Sequence, residues 1–224
     1  MRDRERTTGT RRAGSVITVA VVAAMMLTTL GAGAASATGG EPHPRGIRTP
    51  DAATYVVSLT SDADGFVWKG TQRISFTNVD PTPLKAIYLR LWDNAILGCS
   101  DPLAIQVTRV RGGTAGDLTV GCTALRIKLP QPLDQGESAE ISFDLKIIVP
   151  NTNWRFGRIG AMALVGNAIP VLAIRDALGW HLETYTSNGE SFYSQVADFT
   201  VAFTTPRALK IAASGSIVRS KVSG

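Results

Sequence analysis

The sequence predicts an all-β fold: an antiparallel β-sandwich or saddle-like domain preceded by a signal peptide. Three observations predict it. Apolar side chains recur at every second position through much of the chain. Clusters of Gly, Pro, Asp and Asn separate these runs at short intervals. No stretch after the leader has the three-to-four spacing of an amphipathic helix.

The leader comes first. Arg2, Arg4, Arg6, Arg11 and Arg12 form a basic head, residues 16–30 are uncharged and largely apolar, and Ala35-Ser36-Ala37 fits a signal-peptidase site. The apolar core is short for a membrane span of about 20 residues, so residues 1–37 are expected to be a cleaved signal and the protein secreted. Ala13-Gly14 follow Arg11-Arg12 where a twin-arginine signal carries a bulky apolar residue, which favours ordinary Sec export. Five Arg against Asp3 and Glu5 give the leader a net +3 of the chain's +5, leaving about +2 for the rest. The basic balance is therefore largely a property of the leader. It gives no footing for nucleic acid, and no Lys/Arg stripe with interleaved aromatics follows.

Residues 38–54 are expected to be a disordered lead-in, polar and containing Pro and Gly. Then the period of two begins. Tyr55, Val57 and Leu59 alternate, Asp62-Ala63-Asp64-Gly65 turns, and Phe66, Trp68, Ile74 and Phe76 follow. A calcium loop at Asp62 would need further oxygen ligands at fixed spacing, which are absent; a hairpin turn explains Asp and Gly there. Ile87, Leu89 and Leu91 alternate after the turn Asp80-Pro81-Thr82-Pro83. Ile105 with Val107, and Leu125, Ile127 and Leu129, make further strands. The clearest strand is Ala139, Ile141, Phe143, Leu145, Ile147 and Val149, with Glu140, Ser142, Asp144 and Lys146 between them. Residues 154–176 are less regular, rich in Gly and Ala, and suit loop with short strands. Phe199, Val201 and Phe203 form a strand, and Leu209 with Ile211 another.

Cys99 and Cys122 are the only cysteines. Export to an oxidising space makes a disulfide between them the natural pairing, closing a loop worth about 3 kcal/mol in the chain-entropy model. The only histidines are His43 and His181. His181 with Ser191 and Asp198 suggests a nucleophile system on paper, but no GxSxG elbow surrounds any serine, and a structural His is the simpler reading. Of the tryptophans, Trp68 and Trp92 continue apolar faces and suit packing, whereas Trp154 and Trp180 are freer to be exposed.

Three stretches carry a family resemblance. YVVSLTSDADGFVWKGTQRISFTN (residues 55–78) runs from a strand through an acidic turn and an aromatic to a Lys-Gly step into a second strand. LKAIYLRLWDNA (residues 84–95) ends in a Trp-Asp-Asn step. In residues 165–206 an Asn-x-x-Pro segment is followed by Gly-Trp, by Gly-Glu-Ser-Phe-Tyr and by a Val-Ala-Asp strand. In this order they resemble the N-terminal β domain of the aminopeptidase N family of zinc metallopeptidases, in its secreted bacterial branch, over residues 55–218, with 219–224 as a tail. The resemblance implies a saddle-shaped domain that packs on a thermolysin-like catalytic domain. That catalytic domain would carry a GxMEN loop, HExxH and a distant Glu ligand; none of these is in the sequence. Gly160-Ala161-Met162 echoes the loop, but Ala163-Leu164 replace its Glu-Asn pair. The expectation is thus a chain truncated before the zinc site and without activity of its own. Zn²⁺ is expected only in the missing catalytic domain, no cofactor is expected here, and peptides would be partners of the full-length enzyme. The membrane would be met only through the export signal. Glu183 and Glu190 stand in the segment that would help wall the active-site cleft, as candidate peptide contacts. The alternative is a stand-alone, non-catalytic secreted β-sandwich binding module.

Overall fold

The computed structural model describes residues 46–222, with 187 and 190 excepted. Its elements are β1 (Asp51–Ser61), β2 (Val67–Thr77), β3 (Leu84–Arg90), the short helix α1 (Asn94–Leu97), β4 (Ile105–Arg111), β5 (Thr114–Thr119), β6 (Ala124–Leu133) and β7 (Ser138–Ile148). Six shorter or later strands follow: β8 (Phe156–Ile159), β9 (Met162–Val165), β10 (Val171–Leu172), β11 (Arg175–Asp176), β12 (Gly179–Trp180) and β13 (Asp198–Thr204).

The strands form a five-stranded sheet in the order β13-β1-β2-β7-β4 and a four-stranded sheet in the order β10-β3-β6-β5, beside two ribbons, β8-β9 and β11-β12. Period-two patterning builds both large sheets. Tyr55, Val57 and Leu59 of β1, Ile74 and Phe76 of β2, and Ile141, Phe143, Leu145 and Ile147 of β7 share one core with Ile87 and Leu89 of β3 and Leu125, Ile127 and Leu129 of β6. The acidic turn forms as expected: Asp62 Oδ1 accepts the Phe66 N–H at 2.8 Å, and Gly65 takes the left-handed conformation, φ 75°.

The sheets are antiparallel apart from one pair. β13 runs parallel to β1, with Tyr55 opposite Phe199 and Leu59 opposite Phe203. Parallel neighbours present paired residues to the same face, so Phe199, Val201 and Phe203 point toward the core side. The five-stranded sheet is wider than its partner, and Phe199 is 46% exposed.

Two expectations differ. The lead-in drawn through residue 54 meets order sooner: β1 starts at Asp51, and Thr49 is fully buried. Thr49 exchanges backbone hydrogen bonds with Arg175, and its hydroxyl donates to Asn78 Oδ1 at 3.1 Å. These partners are distant in sequence, so no local pattern announces them. Leu209 and Ile211 form no strand; Leu209 instead approaches the turn at Gly65. The leader, His43 and the rest of residues 1–45 lie outside the described residues. Among the described residues no helix is long and apolar enough to cross a membrane.

Candidate functional site

The richest chemistry gathers on the outer face of β3. Ile87, Leu89 and Leu91 fill the core, so Tyr88, Arg90 and Trp92 point the other way. That second face is covered too. The chain after β10 crosses it: Trp180 packs edge-on to Tyr88 at 5.2 Å, and Phe192 edge-on to Trp92 at 5.4 Å. Between these contacts Arg90 donates from Nη2 to the backbone oxygen of Glu183 at 2.9 Å and to Thr123 Oγ1 at 3.3 Å. Its guanidinium lies 3.7 Å above the Trp92 ring.

This face is incompletely bonded. Arg90 is fully buried, yet Nε and Nη1 have no partner among the described residues, nor does Trp92 Nε1. Burial pulls the Arg90 pKa down to about 10 against the opposing charge of Glu183. Asp93 follows directly. Its Oδ2 is buried without a partner, and burial pushes its pKa up to about 8 although the Arg155 charge opposes the rise. Asn94, by contrast, is satisfied: its amide donates to Ile105 O and Cys122 O, and its Oδ1 accepts the Ile105 N–H at 2.7 Å. The Trp-Asp-Asn step thus ties the end of β3 to β4 and to the disulfide.

Beside it stands an acid–histidine–acid bridge. His181 Nε2 lies 2.8 Å from Asp176 Oδ2, and Nδ1 lies 2.7 Å from Glu183 Oε1. Burial lowers the His181 pKa, but the two carboxylates outweigh it and the net direction is up. Asp176 is held below the usual range, first by the Leu178 N–H and then by His181. Glu183 also shifts down, its burial outweighed by its own backbone N–H, His181 and Arg90. Tyr193 meets the His181 ring edge-on at 5.0 Å, and the Arg48 guanidinium sits 5.6 Å over Tyr193.

The structure separates the candidate residues. Cys99 and Cys122 form the disulfide. Glu183 belongs to the histidine bridge, with its side chain 64% exposed. Glu190 lies outside the described residues. Ser191 bonds to Thr186, not to His181, and Asp198 sits in β13 opposite Thr54, so the paper nucleophile system is not assembled. Trp68 and Trp92 are buried and Trp154 is exposed, while Trp180 is partly covered on Tyr88. Sequence patterning did not mark Arg90, Asp93 or Asp176. A charged residue inside an alternating apolar run is the signal for Arg90, since such a residue needs a second cover on its face.

An open cleft of about 460 Å³ lies beside the disulfide, walled by Leu91, Leu103, Ile105, Val107, Leu118 and Leu125. Asp101 is its one titratable wall residue apart from the bonded cysteines, so it offers no acid–base pair. Among the described residues no three His, Cys, Asp or Glu side chains converge as a metal ion requires. His181 has both nitrogens committed to carboxylates. What the β3 face can do is hold charge and exchange a proton at His181 and Asp93.

The chain is similar in structure to M1 zinc metallopeptidases. One, from Deinococcus radiodurans and bound to a Tyr-Ser-Ala substrate, shares 18% identity at a TM-score of 0.48, over 80% of this chain and 37% of that one. A two-domain M1 zinc metallopeptidase bound to L-tryptophan gives 18% identity and 0.47 over the same shares. A further structure of the Deinococcus radiodurans enzyme gives 16% and 0.46. The aligned part of this chain thus spans 37% of the length of these proteins. No protein-family model and no curated protein matches the chain.

Proposed function

We propose that residues 55–218 are the N-terminal β domain of a secreted zinc aminopeptidase-like protein, and that they carry no peptidase activity by themselves. The observation that carries this reading is the set of large apolar side chains left in solvent from residue 178 onward, with the core-side row of β13 only partly covered. Leu178 is 90% exposed, Val196 101%, Ile217 89% and Val218 98%. A domain built to pack on a neighbour leaves such surface bare, whereas a stand-alone module hides it. The order of the three sequence stretches, through the Trp-Asp-Asn step and the Gly-Glu-Ser-Phe-Tyr segment, supports the same reading.

Among the described residues no donor cluster fits zinc. The donor set holds two histidines and no HExxH pair, so no hydrolytic step is assigned to these residues. In this reading the zinc site belongs to a catalytic domain encoded beyond Gly224. Peptides are the substrates of the combined protein, and the export signal sends it out of the cell. Glu183 is a contact for that cleft only through its exposed carboxylate, since its backbone serves Arg90.

Purified residues 38–224 test the reading directly. The expected outcome is no release of the leaving group from Leu- or Ala-anilides, no stoichiometric zinc, and strong binding of a dye for exposed apolar surface. Anilide hydrolysis overturns the inactivity, and a dye-silent monomer favours the stand-alone module. The coding sequence after Gly224 gives an independent check: an HExxH there supports the reading, and its absence removes it.

A further inference from the structure

We propose that His181 is a proton-operated latch: as an imidazolium between Asp176 and Glu183 it holds residues 182–186 and 191–193 down on the outer face of β3, and loss of its proton lets them lift. This does not rest on the peptidase reading.

The geometry selects the protonation state. An ionised carboxylate only accepts hydrogen bonds, and a neutral imidazole has a single N–H to donate. Distances of 2.7 and 2.8 Å from both ring nitrogens to carboxylate oxygens therefore need two N–H groups, that is, the imidazolium. Removing its proton sets a ring lone pair against a carboxylate lone pair on one side. Glu183 is the partner that swings away. Asp176 is fixed within the β11-β12 ribbon and accepts the Leu178 N–H at 2.8 Å, whereas the Glu183 side chain is largely in solvent.

The charges facing His181 alternate along the molecule. Arg90 of β3 bonds to the Glu183 backbone, Glu183 and Asp176 flank the ring, and Arg48 lies near Asp176 and over Tyr193, whose ring meets His181 edge-on. His181 is the one member of this row whose ordinary pKa, 6.5, is close to neutrality. The covered face also has a reason to open. Among the described residues Arg90 Nε and Nη1 and Trp92 Nε1 have no partner while the segment lies over β3, and lifting it hydrates them. Closed packing is thus opposed by unmet donors, the balance that a single proton can tip.

The sign follows from linkage. The His181 pKa is raised on folding, so the closed form is fully favoured below 6.5 and loses that favour as pH rises through the raised value. On the acid side, Asp176 and Glu183 have lowered pKa values and withdraw their support only as pH falls through those values.

The test is a pH titration of purified residues 38–224 by nuclear magnetic resonance, in which only His43 and His181 report imidazole signals. His181 is expected to titrate above 6.5, with the amides of residues 182–186 and 192–193 moving at the same pH. Their exchange, corrected for intrinsic rate, should rise by up to about tenfold per pH unit between 6.5 and that point and level off above it. Glu183→Gln supplies a side-chain amide that a neutral ring can meet, so it should lower the His181 pKa and flatten the titration of the segment. His181→Gln should abolish it, with core amides of β2 and β7 confirming the fold. A His181 pKa at or below 6.5, or a segment that titrates identically in Glu183→Gln, overturns the proposal.

Discussion

Arg90, Asp93 and His181 are three charged or chargeable groups within one small region, and each meets burial differently. Arg90 keeps its charge, shared with the Trp92 ring and two hydrogen bonds. His181 is held charged by flanking acids. Asp93 Oδ2 has no hydrogen-bond partner among the described residues, the Arg155 charge offsets burial only in part, and the carboxyl keeps its proton up to a pH of about 8. Unfolded, the same carboxyl ionises near its ordinary 3.8. Between those values folding takes up a proton, so stability should fall as pH rises, by up to about 1.4 kcal/mol per pH unit. Asp93→Asn removes that dependence. Thermal denaturation should show the variant melting above the parent at pH 8 and close to it at pH 4; a parallel shift at both pH values would refute the assignment.

The strands make further demands. Gly70 of β2 faces Leu59 of β1, and a methyl group there would lie 1.8 Å from the Ser58 carbonyl oxygen. This backbone has no room to yield, because β1 is paired on its other side with β13 and β2 with β7. Gly70→Ala should therefore cost about 2 kcal/mol or more in chemical denaturation despite the smallness of the change. The disulfide works on the unfolded chain instead. Its sequence separation is 23, and reduction should cost about 3 kcal/mol by loop entropy. Replacing both cysteines by Ser should lower the denaturation midpoint accordingly, while the β2-β7 pairing persists in the folded state. A variant as stable as the parent would show that the loop around Asn94 closes without help.

For the molecule as a whole, the decisive feature is the mismatch in width between its two sheets. The core under β1, β2 and β7 is complete, with Ile74, Ile141 and Phe143 fully buried. Toward β13 the cover thins, and downstream Ile217 and Val218 find almost none. Substituting Val196 and Ile217 together by Ser should reduce apolar dye binding severalfold with little effect on the melting temperature, since both side chains already meet solvent. A large loss of stability would mean that they pack in solution.

The alternation at Tyr55–Leu59, Ile87–Leu91 and Ala139–Val149 was enough to mark the strands, because a half-buried strand writes its environment into every second residue. The acidic turn at Asp62 and the pairing of two lone cysteines were legible for similarly local reasons. The parallel seating of β13 on β1, the burial of Thr49 and the cover over Arg90 were decided by tertiary structure. Each depends on a partner many residues away, and period-two patterning says which face is buried but not what buries it. His181 shows the limit most plainly: its two carboxylate neighbours are visible in the sequence as Asp176 and Glu183, yet only the folded ribbon brings one to each ring nitrogen, and with that arrangement comes its charge.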